Sequence, residues 1–273
     1  MSRILVAGGT GVLGRAIVQR LTGAADLRVL SRRDVTLVDA EVVRADLDTG
    51  DGLEPALRGI DVVVHCAGYN RDLRHPERDT DQTRRLIEAA RAAGAAPHLV
   101  YISIVGTDRI PLGYYRAKHA GERLIAASGL PWTVLRATQF HELVLMLLML
   151  AARGPIALVP RGVRVQPVET REVASRMAEL ALAAPAGRVP DMAGPRVERA
   201  EDLMRLYLTA RHRRVPILPL PLPGKVARGY LSGAHLAADG VRGSRTFAEF
   251  LRASIRPDGT IAPPYDLAAR SGR

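Results

Sequence analysis

The stretch from Ser2 to Val18 reads Ser-Arg-Ile-Leu-Val-Ala-Gly-Gly-Thr-Gly-Val-Leu-Gly-Arg-Ala-Ile-Val and constrains the chain more than any other. A short apolar run stops at glycines, and an apolar pattern at helical spacing begins directly after them. Each glycine of Gly8-x-x-Gly11-x-x-Gly14 has a physical reason. Gly8 lets the chain turn sharply out of a strand, Gly11 lets backbone N–H groups approach a pyrophosphate, and Gly14 lets the following helix pack closely on the sheet. With Thr10, Val12 and Leu13 completing the turn, the free N–H groups of the helix start form an anion site. A dinucleotide-binding turn is expected.

The chain continues in an alternating rhythm. Leu27–Leu30, Glu41–Arg44, Asp61–His65, Leu99–Ile102 and Trp132–Leu135 read as strands, separated by helical stretches at Gly52–Leu57, Thr80–Ala93 and Tyr114–Ala127. Val62-Val63-Val64 is apolar on both faces of a strand, which implies a parallel sheet covered by helices on either side. The fold class is therefore α/β, a doubly wound, Rossmann-like parallel sheet with a smaller C-terminal substrate-binding part. Past about Ala151 the rhythm loosens into helical runs at Thr170–Leu182, Ala200–Ala210 and Ser244–Ala253 and a proline-punctuated segment from Pro216 to Pro223. The expected division is a core over 1–155, a smaller part over 156–255, and a poorly ordered tail over 256–273.

Composition narrows the function classes. The longest apolar run, Leu143 to Ala152, is ten residues, too short to span a bilayer, and the chain opens on a strand rather than on a signal-type segment. No membrane partner is expected. Cys66 is the only cysteine, so an internal disulfide is impossible and a reducing cytoplasm is the expected compartment. The formal charge is +11, but the arginines are scattered and aromatic residues make up 4%. That leaves few platforms for stacked bases, so no nucleic acid is expected, although the positive field favours phosphate-bearing cofactors. The histidines show no metal-ligand spacing and no Gly-x-Ser-x-Gly elbow is present, so no metal site is predicted.

Lys118 is one of two lysines in a chain that otherwise uses arginine, and it stands four residues after Tyr114. That spacing puts the phenol and the amine on one helix face. A phenol has a pKa near ~10, so at neutral pH it donates a proton more readily than it accepts one. A neighbouring ammonium is expected to move that pKa towards the operating range. Ser103, ending a strand, is the candidate hydrogen-bond donor to a substrate oxygen.

Cofactor choice is read at the end of the second strand. A ribose 2′-hydroxyl calls for Asp or Glu there, whereas a 2′-phosphate calls for arginine. The strand ends Leu30-Ser31-Arg32-Arg33, with no carboxylate before Asp34, and guanidinium groups grip phosphate in a bidentate way. NADP is favoured, with NAD possible.

The glycine turn, Asp46-Leu47 after the third strand, Cys66-Ala67-Gly68 after the fourth, Ser103 on the fifth and Tyr114-x-x-x-Lys118 stand in the order of the short-chain dehydrogenase/reductases. The run from His98 to Ser103 and the segment Leu135-Arg136-Ala137-Thr138 most resemble the atypical or extended, NmrA-like branch. The resemblance covers the first half to two thirds of the chain. It implies catalytic roles for Tyr114, Lys118 and Ser103, adenine contact at Asp46 and Leu47, ribose contact at Ala67, Gly68 and Lys118, and cofactor contact at Thr138. The family commonly has a proline after the arginine, and this chain instead has Ala137-Thr138-Gln139-Phe140-His141. Gln139, Phe140 and His141 are the candidate substrate contacts, at the mouth of the sixth strand. The reading is an NADP(H)-dependent reductase of a small apolar carbonyl, quinone or conjugated acceptor. Two alternatives remain, a dinucleotide-binding redox sensor of the NmrA type and a nucleotide-sugar epimerase or dehydratase.

Overall fold

Strand β1 (Arg3–Ala7) ends where the glycines begin, and helix α1 (Val12–Leu21) starts at once after them. The computed structural model describes residues 1–68, 75–94, 96–256 and 260–261. Two of the glycines are fixed by space. Gly8 has φ +92°, and a β-carbon on it would lie 2.5 Å from the backbone nitrogen of Ala67. A β-carbon on Gly14 would lie 2.1 Å from the carbonyl oxygen of Gly8, so only glycine lets α1 lie this close to the turn.

The alternation then follows as β2 (Asp26–Ser31), β3 (Glu41–Arg44), α2 (Leu53–Leu57), β4 (Val62–His65), α3 (Glu77–Ala92), β5 (His98–Ile104), α4 (Gly113–Ala126) and β6 (Trp132–Ala137). These strands lie in the order β3-β2-β1-β4-β5-β6, with the short strand Gly187–Arg188 beside β6. The pairings of β1 with β2 and β4, of β2 with β3, of β4 with β5 and of β6 with Gly187–Arg188 are parallel. All four residues of β4 are buried, as its unbroken apolar run requires of a strand covered on both faces. The edge strand β3 is only partly covered. The chain runs outward from β1 to β3 and then crosses back to β4, so the strand order reverses between β1 and β4. That is the switch point at which open α/β sheets place ligands.

Helix α3 begins at Glu77, three residues before the expected Thr80, and Glu77 and Asp79 lie in its first turn. Acidic side chains there complement the helix dipole, a start signal that apolar periodicity alone does not carry.

The chain divides into two units at Arg136 rather than near residue 155. The first holds Met1–Arg136 with Arg171–Pro190, and the second holds Ala137–Thr170 with Asp191–Arg273. The reason lies in strand pairing: Gly187–Arg188 adds to β6, and the nitrogen of Ala186 donates to the hydroxyl of Thr133 over 2.9 Å. A late segment thus returns to the first unit, and loosening of the sequence rhythm gives no sign of it. The first unit has a core built around Leu5, Leu57, Val63, Leu86, Leu99 and Tyr101. The second has its own, in which helices His141–Ala151, Ala200–Ala210 and Phe247–Ser254 bury Leu145, Met204, Tyr207 and Phe247. Most of the expected tail, 257–259 and 262–273, lies outside the described residues.

The contact at Gly14 is directly testable. Gly14→Ala is expected to cost about 1–3 kcal/mol or more as an overpacked contact with an immovable carbonyl, read as a lowered urea midpoint with an unchanged slope. Stability equal to the parent would mean that the turn and helix separate freely.

Candidate active site

The carboxyl ends of β1 and β4 carry the glycine turn and Cys66-Ala67-Gly68. The thiol of Cys66 donates to the carbonyl of Ala7 over 3.2 Å and ties the two strand ends together. Burial pushes that thiol up to about 12, so it stays protonated and serves as a structural donor.

Helix α1 begins with Gly11 as N-cap in an extended conformation, with no side-chain cap and no acidic residue in its first turn. Its first N–H groups therefore have no side-chain acceptor, and no carboxylate competes with an incoming anion. Thr10 and Gly11 are exposed and Val12 half-buried, while Leu13 and Gly14 are buried beneath them. These exposed, uncapped positions fit a dinucleotide pyrophosphate, and the close backbone contacts at Gly8 and Gly14 hold the turn in place beneath them.

At the end of β2 the Ser31 hydroxyl donates to the carbonyl of Arg33 over 2.7 Å and accepts from its nitrogen over 3.1 Å. This local turn leaves the side chains of Arg32 and Arg33 exposed. Arg32 meets Asp48 at 3.3 Å, an exposed pairing of small net worth. Asp46 accepts from the nitrogen of Asp48 over 2.8 Å, and the carbonyl of Leu47 accepts from Arg85 over 3.3 Å. Asp46 is thus set by a local turn and Leu47 by the Arg85 side chain.

Lys118, Asp79 and Tyr101 form a buried cluster in the first unit, with Tyr114 half-buried beside them. Residues Lys118, Gly121, Glu122 and Ile125 make a buried stripe on α4, at the i, i+3, i+4, i+7 spacing of one helix face. Lys118 Nζ lies 3.4 Å from Asp79 Oδ2, and the two side chains are 4% and 1% exposed. The ammonium also sits 4.8 Å from the ring centre of Tyr101 and 5.9 Å from that of Tyr114. The Tyr101 hydroxyl donates to Asp79 over 3.4 Å. Gly121 leaves room for it, since a β-carbon there would lie 2.8 Å from that hydroxyl. The backbone of Gly68 comes equally close: a β-carbon on it would lie 3.1 Å from the Tyr114 phenol oxygen, 3.2 Å from Asp79 and 3.4 Å from Lys118. Gly68, Tyr114 and Lys118 are therefore brought together as the sequence predicts, and Asp79 and Tyr101 join them.

The charges follow from that packing. Burial by itself lowers the Lys118 pKa, but Asp79 and the two phenols outweigh it and hold the ammonium well above its ordinary value. Burial raises the Tyr114 phenol, Lys118 draws it down and Asp79 pushes it up again, so the net shift is upward. This corrects the expectation that Lys118 brings the phenol towards neutrality, because burial of the phenol, helped by Asp79, outweighs the ammonium's field. Next to the cluster, the Thr83 hydroxyl donates to the carbonyl of Asp79 over 3.0 Å. It therefore receives the Nε2 proton of His65, also 3.0 Å away. Burial first, and then Lys118, lower the His65 pKa to about 3, so the imidazole is neutral.

Ser103 is buried on β5 with its hydroxyl beside the Glu122 carboxylate. Near the same strand, Glu122 takes a bidentate pair from Arg136 at 2.7 and 2.6 Å, and Arg136 also reaches Asp108 at 2.9 Å. Burial opposes ionisation of Glu122, but the Arg136 hydrogen bonds prevail and its pKa is lowered. Arg136 is thus committed inside the first unit.

The remaining candidates belong to the second unit. Thr138 is buried and its hydroxyl accepts from the nitrogen of Gly194 over 3.3 Å. Gln139 donates to the carbonyl of His235 at 3.2 Å and accepts from the nitrogen of Gln166 at 3.1 Å. Phe140 is the N-cap of helix His141–Ala151. His141 is fully buried, 3.5 Å from Glu169 and against Phe247 and Phe250. It was expected as a substrate contact at the mouth of the sixth strand, but the helix that starts with it buries this first turn.

Residues 8–143 match the NAD(P)H-binding family. The chain belongs to that family. Among curated relatives, the (4-alkanoyl-5-oxo-2,5-dihydrofuran-3-yl)methyl phosphate reductase of Streptomyces griseus is 32% identical over 50% of this chain and 48% of its own length. The ceramide reductase of Caulobacter vibrioides is 32% identical over 64% of this chain and 59% of its own. This chain therefore matches about half the length of these relatives. Among solved structures, the NADPH-dependent quinone oxidoreductase of Escherichia coli, in complex with NADPH, is 20% identical. It covers 92% of this chain and 99% of its own with a TM-score of 0.78, which establishes the shared Rossmann-like fold.

Asp79 and Tyr101 escaped sequence reasoning. The available signal was physical: an ammonium on a buried stripe needs a counter-charge, and α3 offers Asp79 on its own buried face. Removing it has a defined consequence. Asp79→Asn leaves Lys118 buried without its carboxylate, which costs about 3–5 kcal/mol for a broken buried pair. The sign with pH also reverses. In the parent the raised Lys118 pKa makes the contribution complete at neutral pH, to be lost only as pH climbs through that value. In the variant burial dominates and lowers the pKa, so the unfolded chain holds the extra proton and stability rises with pH towards that of free lysine. Denaturation midpoints measured across neutral to alkaline pH check this, and a flat profile in Asp79→Asn would refute the pairing.

Proposed function

We infer that the chain is an NADP(H)-dependent oxidoreductase that reduces a small apolar carbonyl, quinone or conjugated acceptor. The observation that carries this reading is a proton-bearing phenol, Tyr114, held beside the Lys118 ammonium and the backbone of Gly68 at the strand-order switch point. The nicotinamide, when bound, supplies the hydride. Thr10 and Val12 would hold the pyrophosphate through backbone N–H groups, Gly8 and Gly11 shaping the turn through the Gly11 N–H bond to the Gly8 carbonyl, with Leu13 and Gly14 packed beneath. Asp46 and Leu47 would meet the adenine, and Ala67 and Gly68 the ribose side. Arg32 and Arg33 would grip a 2′-phosphate, Arg32 giving up its exposed contact with Asp48 at little cost.

The direction of proton transfer follows from the phenol. A tyrosine whose pKa is raised keeps its proton at neutral pH, which suits donation to an oxygen that is gaining charge. The Lys118 ammonium would then stand next to the phenolate and stabilise it. Its field is moderated by Asp79, so the phenolate stays basic and is readily reprotonated. The buried Ser103 hydroxyl offers a donor to the same oxygen. The two curated relatives are named as reductases, which supports this direction. One observation favours the sensor reading instead. Burial, with a smaller push from Asp79, outweighs the pull of Lys118, so the phenol is harder to ionise than in water, which dinucleotide binding alone would tolerate.

Two measurements test these assignments. Calorimetric titration is expected to give tighter binding of NADPH than of NADH, with Arg32→Ala and Arg33→Ala together weakening NADPH by about tenfold to a hundredfold. Equal affinities would remove the argument for the phosphate. Tyr114→Phe is expected to leave NADPH affinity intact while lowering turnover of an accepted carbonyl or quinone by ~10²–10⁴-fold. Tight NADPH binding with no turnover over a broad acceptor panel would select the sensor.

A further inference from the structure

In the second unit, strands Ala157–Pro160 and Ile217–Leu220 pair in parallel, with Leu218 opposite Leu158 and Leu220 opposite Pro160. One face of this ribbon lies on the core through the fully covered Ala157 and Val159. A sheet with one face packed and the other solvated alternates apolar with polar residues. This one does not. Its outward positions are Leu158, Leu218 and Leu220, and the same spacing of two reaches Ile156 and Leu222, all between 36% and 49% exposed. An uncovered apolar face of this kind marks an interaction site.

The two chain segments that carry the ribbon bear charges of one sign. From Leu143 to Val168 there is no acidic residue, but Arg153, Arg161 and Arg164 occur; from Leu203 to Ala238 there is again none, with six basic residues between Arg205 and Arg228. Both strands of the ribbon lie within these two acid-free stretches. Arg214, Lys225 and Arg228 are exposed. Arg161 reaches the carbonyl of Pro219 over 3.3 Å, so the leucine positions lie in segments whose charges are basic, one of them on the ribbon itself.

Three occupants can be compared. A second copy in a two-fold contact would set the same basic segments against each other, which like-charge repulsion opposes. Nucleic acid would match the charge, but leucines offer no surface for stacked bases. An anionic bilayer surface matches both features, since leucines enter the boundary between headgroups and acyl chains while arginine and lysine meet lipid phosphates. We propose that this leucine-faced ribbon docks the protein peripherally on an anionic lipid surface. No helix among the described residues is long and apolar enough to cross a membrane, and docking of this kind requires none. The inference does not rest on the oxidoreductase reading.

Flotation of the full chain with vesicles tests it. Binding is expected to vesicles of phosphatidylglycerol mixed with phosphatidylcholine, to be absent with phosphatidylcholine alone, and to weaken as salt rises. Arg214→Glu with Lys225→Glu is expected to lower partitioning by about thirtyfold or more, from roughly 1 kcal/mol per basic residue at such a surface. Leu218→Ser with Leu220→Ser is expected to lower it by at least about tenfold, from the apolar burial lost. Unchanged thermal melting and NADPH affinity in both variants would show that the fold is retained. The proposal is overturned if the parent floats with neither vesicle, or if the leucine pair binds as well as the parent. It is also overturned if the parent is a dimer that the leucine pair converts to monomers, which would assign the face to a second copy.

Discussion

The buried ammonium of Lys118 is the constraint on which the candidate site depends. A charge removed from water has to be compensated nearby or it neutralises. Here Asp79 compensates it at 3.4 Å, and the face of Tyr101 adds a further attraction at 4.8 Å. The requirement joins α3, which contributes Asp79, to α4, which contributes Lys118, and to β5, which contributes Tyr101. It also fixes small residues. Gly121 yields space to the Tyr101 hydroxyl, and Gly68 lets the backbone after β4 come within contact distance of the ammonium, the carboxylate and the phenol. One buried charge therefore sets the packing of two helices against β5.

The strand and helix alternation of the first unit was legible because its signals are local. A run such as Val62-Val63-Val64 announces a covered strand, and the glycines from Gly8 to Gly14 announce the turn whatever happens elsewhere. Tyr114 and Lys118 were legible for the same reason, since four residues on a helix make one face. Asp79 was not legible, because it is brought to Lys118 by the packing of two helices and stands 39 positions away in the chain. The return of Arg171–Pro190 to the first unit was hidden likewise, resting on two residues that pair with β6. His141 was misplaced in a different way. Its position just after a strand suggested a pocket mouth, but the apolar helix it begins draws that turn into the core.

The pKa of the phenol carries the same lesson into chemistry. From spacing alone, an ammonium one helical turn from a tyrosine lowers its pKa. In the folded chain that ammonium is shared with a carboxylate, and burial of the phenol outweighs what remains of its field. The sign of a shift is set by every charge in the low-dielectric neighbourhood and not by the nearest one. A reductase gains from this outcome, because a phenol that keeps its proton is the better acid partner for an oxygen accumulating charge.

The use of lysine in a chain rich in arginine can be explained by comparing two buried cations of the first unit. Arg136 is planar and forked, and its partners are arranged accordingly, with both oxygens of Glu122 in line and Asp108 on a third nitrogen. Lys118 has instead one carboxylate oxygen at 3.4 Å and aromatic rings centred at 4.8 and 5.9 Å. That space suits a compact ammonium on a flexible stem, and a guanidinium there would have donors pointing at ring carbons. The same compactness leaves the ammonium within reach of whatever occupies the space beside Gly68. Arginine serves where the partners are fixed and bidentate, and lysine is kept where a point charge meets a carboxylate and two aromatic rings at once.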